Sequence, residues 1–198
     1  MSRPEILRRV EDHGFVVFDS AADHDLNIIG LRNPNRSANS FDDLLFVCFK
    51  VDGQWIEHIF KCTTDAGLYH LHNPSRVAGT AIMIHPQQCR SVYKLDLHAG
   101  KYLALCQRNG RVMVWRDSNQ DSWLDWYGEE VDGYGINIHR ASESRLVDDV
   151  NRYSAGCTVI QDPDDFDLFI ECCKMQVSYN GWNTFTYTLL LGDEGDFE

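Results

Sequence analysis

Cys157 and His139, eighteen residues apart, are the residue types in this chain best suited to covalent chemistry. A catalytic cysteine needs a base to take its proton and donors to hold the oxyanion formed on attack. His139 closes the run Gly135-Ile136-Asn137-Ile138-His139, whose alternation reads as a short strand. Cys157 follows Ser154-Ala155-Gly156 and precedes Thr158-Val159-Ile160, a second strand. Two adjacent strands joined by the polar stretch 140–153 would bring the thiol and the imidazole together. Gly156 permits a tight turn, so the amides of Gly156 and Cys157 are candidates to face a bound carbonyl. Tyr134, Asn137, Arg140, Tyr153 and Ala155 surround the pair in sequence and are the candidates to contact a substrate. His98 is a further candidate for the cleft. A lone Cys and a lone His are more often structural than catalytic, and residue chemistry by itself leaves that alternative open.

The stretch from Ile138-His139 to Ser154-Ala155-Gly156-Cys157 resembles the signature of the L,D-transpeptidase catalytic domain, the YkuD-like fold. That signature is a histidine after a strand, a variable loop, then Ser or Thr, any residue, Gly and Cys, at this spacing. The acidic start and helical pattern of Asp162 to Phe169 also fit, and Thr63-Thr64-Asp65-Ala66-Gly67 resembles the family's Thr-Pro-x-Gly segment. The similarity is strong over residues 130–175 and weaker back to about residue 44. It implies a β-rich α+β fold, a β-sandwich or barrel with a short N-terminal helix and a helix after the cysteine. It also implies that Cys157 is the nucleophile and His139 first base and then acid. Ser154 would brace the turn, and the amides around Gly156 would hold the oxyanion. The implied substrate is the stem peptide of peptidoglycan, cut or exchanged through a thioacyl enzyme. Ala155 stands where many members have a second histidine, and Val159 where many have arginine. Both departures favour hydrolysis over cross-linking.

Asn27-Ile28-Ile29-Gly30-Leu31-Arg32, Phe41-Asp42-Asp43 and Tyr153-Ser154-Ala155-Gly156-Cys157 are further similar to phage and phage-derived proteins. That resemblance implies a phage lysin, made in the cytosol and either released to the cell wall or carried in the virion. The alternative is a virion structural or assembly protein on the same scaffold, with weak or no activity and phage structural proteins as partners. A papain-like protease is disfavoured because it places Cys before His in sequence.

A net charge of −12 argues against nucleic acid, whose phosphates call for clustered Lys and Arg. No stretch has the run of about 20 apolar residues that a membrane span needs, and the start has no apolar core of a secretory signal. The seven cysteines include no CxxC pair, so they are expected to be reduced and buried, Cys172 and Cys173 on a helix. Asp117, Asn119, Asp121 and Asp125 fall at positions 1, 3, 5 and 9 of a calcium-type loop, although the turn glycine and the closing Glu are missing. The same residues read as a solvated acidic loop, and no other cofactor is implied.

The elements that must position the pair follow from patterning. Residues 3–13 read as a helix, and Phe15 to Phe18, Asn27 to Leu31 and Thr80 to His85 as strands. Asp52-Gly53 and Asn109-Gly110 each predict a hairpin, joining Leu44–Val51 to Gln54–Lys61 and Tyr102–Gln107 to Val112–Arg116. Asp162-Pro163 predicts a helix start and Gly181 its end, before a last strand over Thr184 to Leu191. The expected organisation is an extension over 1–43 packed on the core, a catalytic domain over 44–191, and a mobile acidic tail over 192–198.

Overall fold

The computed structural model describes residues 2–197. In chain order its elements are α1 (Glu5–Asp12), β1 (Asn27–Arg32), β2 (Asp43–Val51), β3 (Gln54–Thr63), α2 (Leu68–His72), β4 (Thr80–Met83) and β5 (Gln87–His98). There follow β6 (Tyr102–Gln107), β7 (Val112–Asp117), β8 (Val131–Gly133), β9 (Ile138–Arg140), β10 (Thr158–Ile160), α3 (Pro163–Asn180) and β11 (Phe185–Leu191). Eight strands close into a barrel in the order β1-β11-β5-β6-β9-β10-β3-β2, and β4-β7-β8 make a separate small sheet. The architecture is mainly β, as the patterning predicts.

Local chemistry explains most of these elements. Asp52 and Gly53 take φ of 50° and 73° between β2 and β3, the left-handed pair that a two-residue hairpin turn requires. Asp162 caps α3 by accepting the Asp164 N–H at 2.9 Å, Pro163 fills the first turn, and Gly181 ends the helix at φ 71°. One face of α3, with Phe166, Phe169, Ile170, Cys172 and Cys173, joins the main core alongside Leu45, Phe60, Leu105, Ile138 and Tyr187 of the barrel. All seven cysteines are free and buried.

Four expectations are corrected. Phe15 to Phe18 is not a strand: Phe18 is held by a side chain, its N–H donating to Asn27 Oδ1 and its carbonyl accepting from Asn27 Nδ2. Asn109-Gly110 does not make a hairpin, because β6 belongs to the barrel and β7 pairs with β4 and β8 in the small sheet. The division at residue 43 falls inside the barrel, since β1 lies between β11 and β2. The tail is not loose over its described part: residues 194–197 form a 3₁₀ turn in which Asp196 pairs with Arg9 of α1 at 2.8 Å.

Among the described residues no helix is long and apolar enough to cross a membrane.

Candidate active site

β9 and β10 run parallel, with Ile138 opposite Thr158 and His139 opposite Val159. Parallel neighbours cannot be joined by a tight turn. The stretch 141–157 is therefore a long crossover, held to the barrel by a small cluster of Phe41, Ala141, Val147, Val150, Cys157 and Val159. Side chains alternate along each strand. Ile138 and Ile160 point into the barrel core, and Thr158 reaches the buried Tyr187 hydroxyl at 2.9 Å. His139 and Val159 consequently share the opposite face, and Cys157 sits just before β10 at the end of the crossover.

The turn before Cys157 is fixed by Ser154. Its hydroxyl donates to the Cys157 carbonyl at 2.8 Å and accepts the Gly156 N–H at 3.1 Å, while its own carbonyl accepts the Gly67 N–H at 3.0 Å. Gly156 has φ 110°, and a Cβ there would overlap the Ala81 carbonyl oxygen. Both conditions restrict the position to glycine. Ser154 thus occupies the bracing position, and the segment 63–67 reaches the site through Gly67. The expected oxyanion role of the Gly156 amide is corrected, because that N–H is spent on Ser154 Oγ. The Cys157 N–H is the next donor along the chain.

Cys157 Sγ lies 3.4 Å from the Asn137 N–H, which donates to it, and 3.4 Å from the Gly135 carbonyl, to which the thiol donates. Burial pushes this thiol up to about 11. His139 is 6% exposed, and its Nδ1 lies 2.9 Å from the Arg140 carbonyl. A carbonyl only accepts, so Nδ1 carries the proton and Nε2 keeps the lone pair of a base. Burial, followed by the nearby His98, pulls His139 down to about 4. The His98 ring stacks on His139 at 4.4 Å between centroids, and its Nδ1 accepts from Asn137 Nδ2 at 3.2 Å. Thiol and imidazole are both neutral at pH 7 and are not hydrogen-bonded to each other among the described residues. The arrangement is a neutral thiol and a neutral imidazole on neighbouring segments, distinct from a preformed thiolate–imidazolium pair.

Cys157 opens onto a cleft of about 220 Å³, which Tyr134, Ala155 and Gly135 also line. Two other expected contacts lie elsewhere. Arg140 stacks over the Tyr102 ring at 4.2 Å and pairs with Glu143 at 3.3 Å. Tyr153 packs on the crossover cluster and lines a separate depression of about 710 Å³ with Tyr69, Arg145 and Arg152. That depression is larger but contains no nucleophile. His98 and Gly67, both singled out in the sequence, contribute from outside the His–Cys run: His98 stacks on His139, and the Gly67 N–H donates to the Ser154 carbonyl. Arg76 and Arg116, which also line the cleft, carried no motif at all.

In the acidic loop several carboxylate oxygens serve internal donors, while the buried Asp117 Oδ1 has no hydrogen-bond partner among the described residues. Asp117 Oδ2 accepts the Asp125 N–H at 3.1 Å, Asp125 Oδ2 accepts from Asn119 Nδ2 at 3.0 Å, and Asp121 Oδ1 accepts the Trp123 N–H at 2.7 Å. Asp125 also pairs with Arg36 at 3.4 Å. Among the described residues no three His, Cys, Asp or Glu side chains converge as metal ligands would.

No family model, curated protein or solved structure matches this chain.

Proposed function

We propose that the protein is a cysteine enzyme of the L,D-transpeptidase type, acting on peptidoglycan stem peptides with hydrolysis favoured, as a phage lysin would. The observation that carries this reading is that Cys157 sits immediately before β10, the parallel neighbour of the strand that holds His139, with Nδ1 of His139 pinned by the Arg140 carbonyl and Nε2 left free of that bond. His139 Nε2 takes the thiol proton as Sγ bonds to the substrate carbonyl carbon, and the Cys157 N–H faces the oxyanion. The C–N bond then breaks, and the amine leaves with the proton from His139. Water attacks the thioester, His139 takes the water's proton, and the thiol is restored as the acid departs. An acceptor amine in place of water would give exchange.

Mass spectrometry of muropeptides incubated with the wild type and with Cys157→Ala tests this. New products are expected from the wild type alone, and identical profiles for the two proteins would sink the reading.

One observation favours a second reading, an inactive scaffold serving phage assembly: the thiol sits near 11 with no hydrogen bond to His139. In that case Cys157 alkylates sluggishly and the wild type releases no product.

A further inference from the structure

The cleft beside Cys157 has an unusual charge for this chain. The molecule carries 30 acidic against 18 basic side chains, yet the cleft lining contains Arg76 and Arg116 and no Asp or Glu. The two arginines come from different places. Arg116 is half-buried on β7, opposite Ala81 of β4, and Arg76 is exposed in the loop between α2 and β4. Neither guanidinium is paired with a carboxylate among the described residues, whereas Arg3, Arg8, Arg9, Arg32, Arg36 and Arg108 all are. Burial, with a smaller contribution from Arg76, lowers Arg116 below its ordinary value. Two like charges facing one cleft without a counter-ion are mutually repulsive until an anion arrives. A guanidinium's planar fork suits a carboxylate, which it can bind through two parallel hydrogen bonds.

We infer that Arg76 and Arg116 bind a carboxylate of the substrate beside the bond that Cys157 attacks, making the cleft selective for peptides with a free carboxylate at that point. At about 220 Å³ the cleft is below the roughly 300–1,000 Å³ of common ligand pockets, and the two arginines and Cys157 line the same small space. The substrate class rests on the function proposed above; the anion selectivity of the cleft does not.

The test separates the two. Cys157 is alkylated with iodoacetate and with iodoacetamide, which deliver similar groups to sulfur but differ in charge, and modification is read site by site by peptide mass spectrometry. In Arg76→Gln/Arg116→Gln the ratio of iodoacetate to iodoacetamide rates at Cys157 is expected to fall about tenfold, equivalent to about 1.4 kcal/mol. An unchanged ratio in a variant with wild-type melting behaviour overturns the inference. Should neither reagent reach Cys157, the same variants are titrated by NMR with N-acetyl-D-alanine and its amide. Binding of the acid alone, lost in the double variant, supports the inference; equal behaviour of acid and amide overturns it. Anion selectivity without muropeptide turnover would remove the proposed function and leave the anion cleft standing. Turnover without selectivity would do the reverse.

Discussion

At the scale of residues, the electrostatics of His139 set a measurable limit on the chemistry. A base must be neutral to accept a proton, and burial holds this imidazole near 4. We expect kcat/KM on muropeptides to fall on the acid side with an inflection near pH 4 and to stay flat through neutrality. An acid limb near 6.5 would show that His139 is not the base. Stability should respond as well. An unfolded histidine titrates near ~6.5, so below that pH the unfolded chain gains a proton that the folded chain refuses. Stability is then full above about pH 6.5 and declines as pH falls toward 4, by about 3 kcal/mol from this group. His139→Gln should flatten part of that decline in urea titrations across the window.

At the scale of elements, the crossover between β9 and β10 makes the site possible, and Gly156 is its tightest point. Gly156→Ala should misplace Cys157 as well as strain the turn. We expect a loss of roughly 1–3 kcal/mol or more from the backbone alone, together with loss of turnover. Full turnover in this variant would mean that the turn does not position the thiol. Part of this region was legible in the sequence, because a strand carrying His and a Gly before Cys are local signals, although the strand runs over Ile138–Arg140 rather than from Gly135 to His139. The cap of α3 and the β2–β3 turn were legible for the same reason. β5 was not. Its first half, Gln87-Gln88-Cys89-Arg90-Ser91, lacks clean alternation, Ser91 takes φ 54°, and the strand changes partner from β11 to β6 along its length. Asn109-Gly110 misled because a turn dipeptide specifies a reversal, not the sheet to which the returning strand belongs. Arg76, on the loop before β4, and Arg116, on β7, line one cleft only through tertiary packing, which leaves no local signature.

At the scale of the whole molecule, Arg32 ties the barrel to the small sheet and to the segment behind the site. It is fully buried on β1, donates to Thr64 Oγ1 at 2.9 Å and to the Met83 carbonyl at 2.7 Å, and pairs with Asp65 at 3.1 Å. Removing one partner leaves an uncompensated buried charge. Arg32→Met is therefore expected to destabilise by about 3–5 kcal/mol in urea denaturation. A loss below ~1 kcal/mol, the scale of an exposed pair, would show that Arg32 is no anchor.

The barrel also closes between its first and last strands, β1 and β11, which run parallel from Ile28 opposite Tyr187 to Arg32 opposite Leu191. During synthesis, β1 must wait for nearly all the other strands before its second neighbour exists. At about 5–20 residues per second, that edge stays open for many seconds on the ribosome. Over that interval an apolar strand with one unsatisfied side is a target for chaperones and for other nascent copies. Conversely, α1 packs Leu7 and Val10 against Ile29, Leu31 and Leu190. That helix covers the outside of the seam, and it is already made when the seam at last forms.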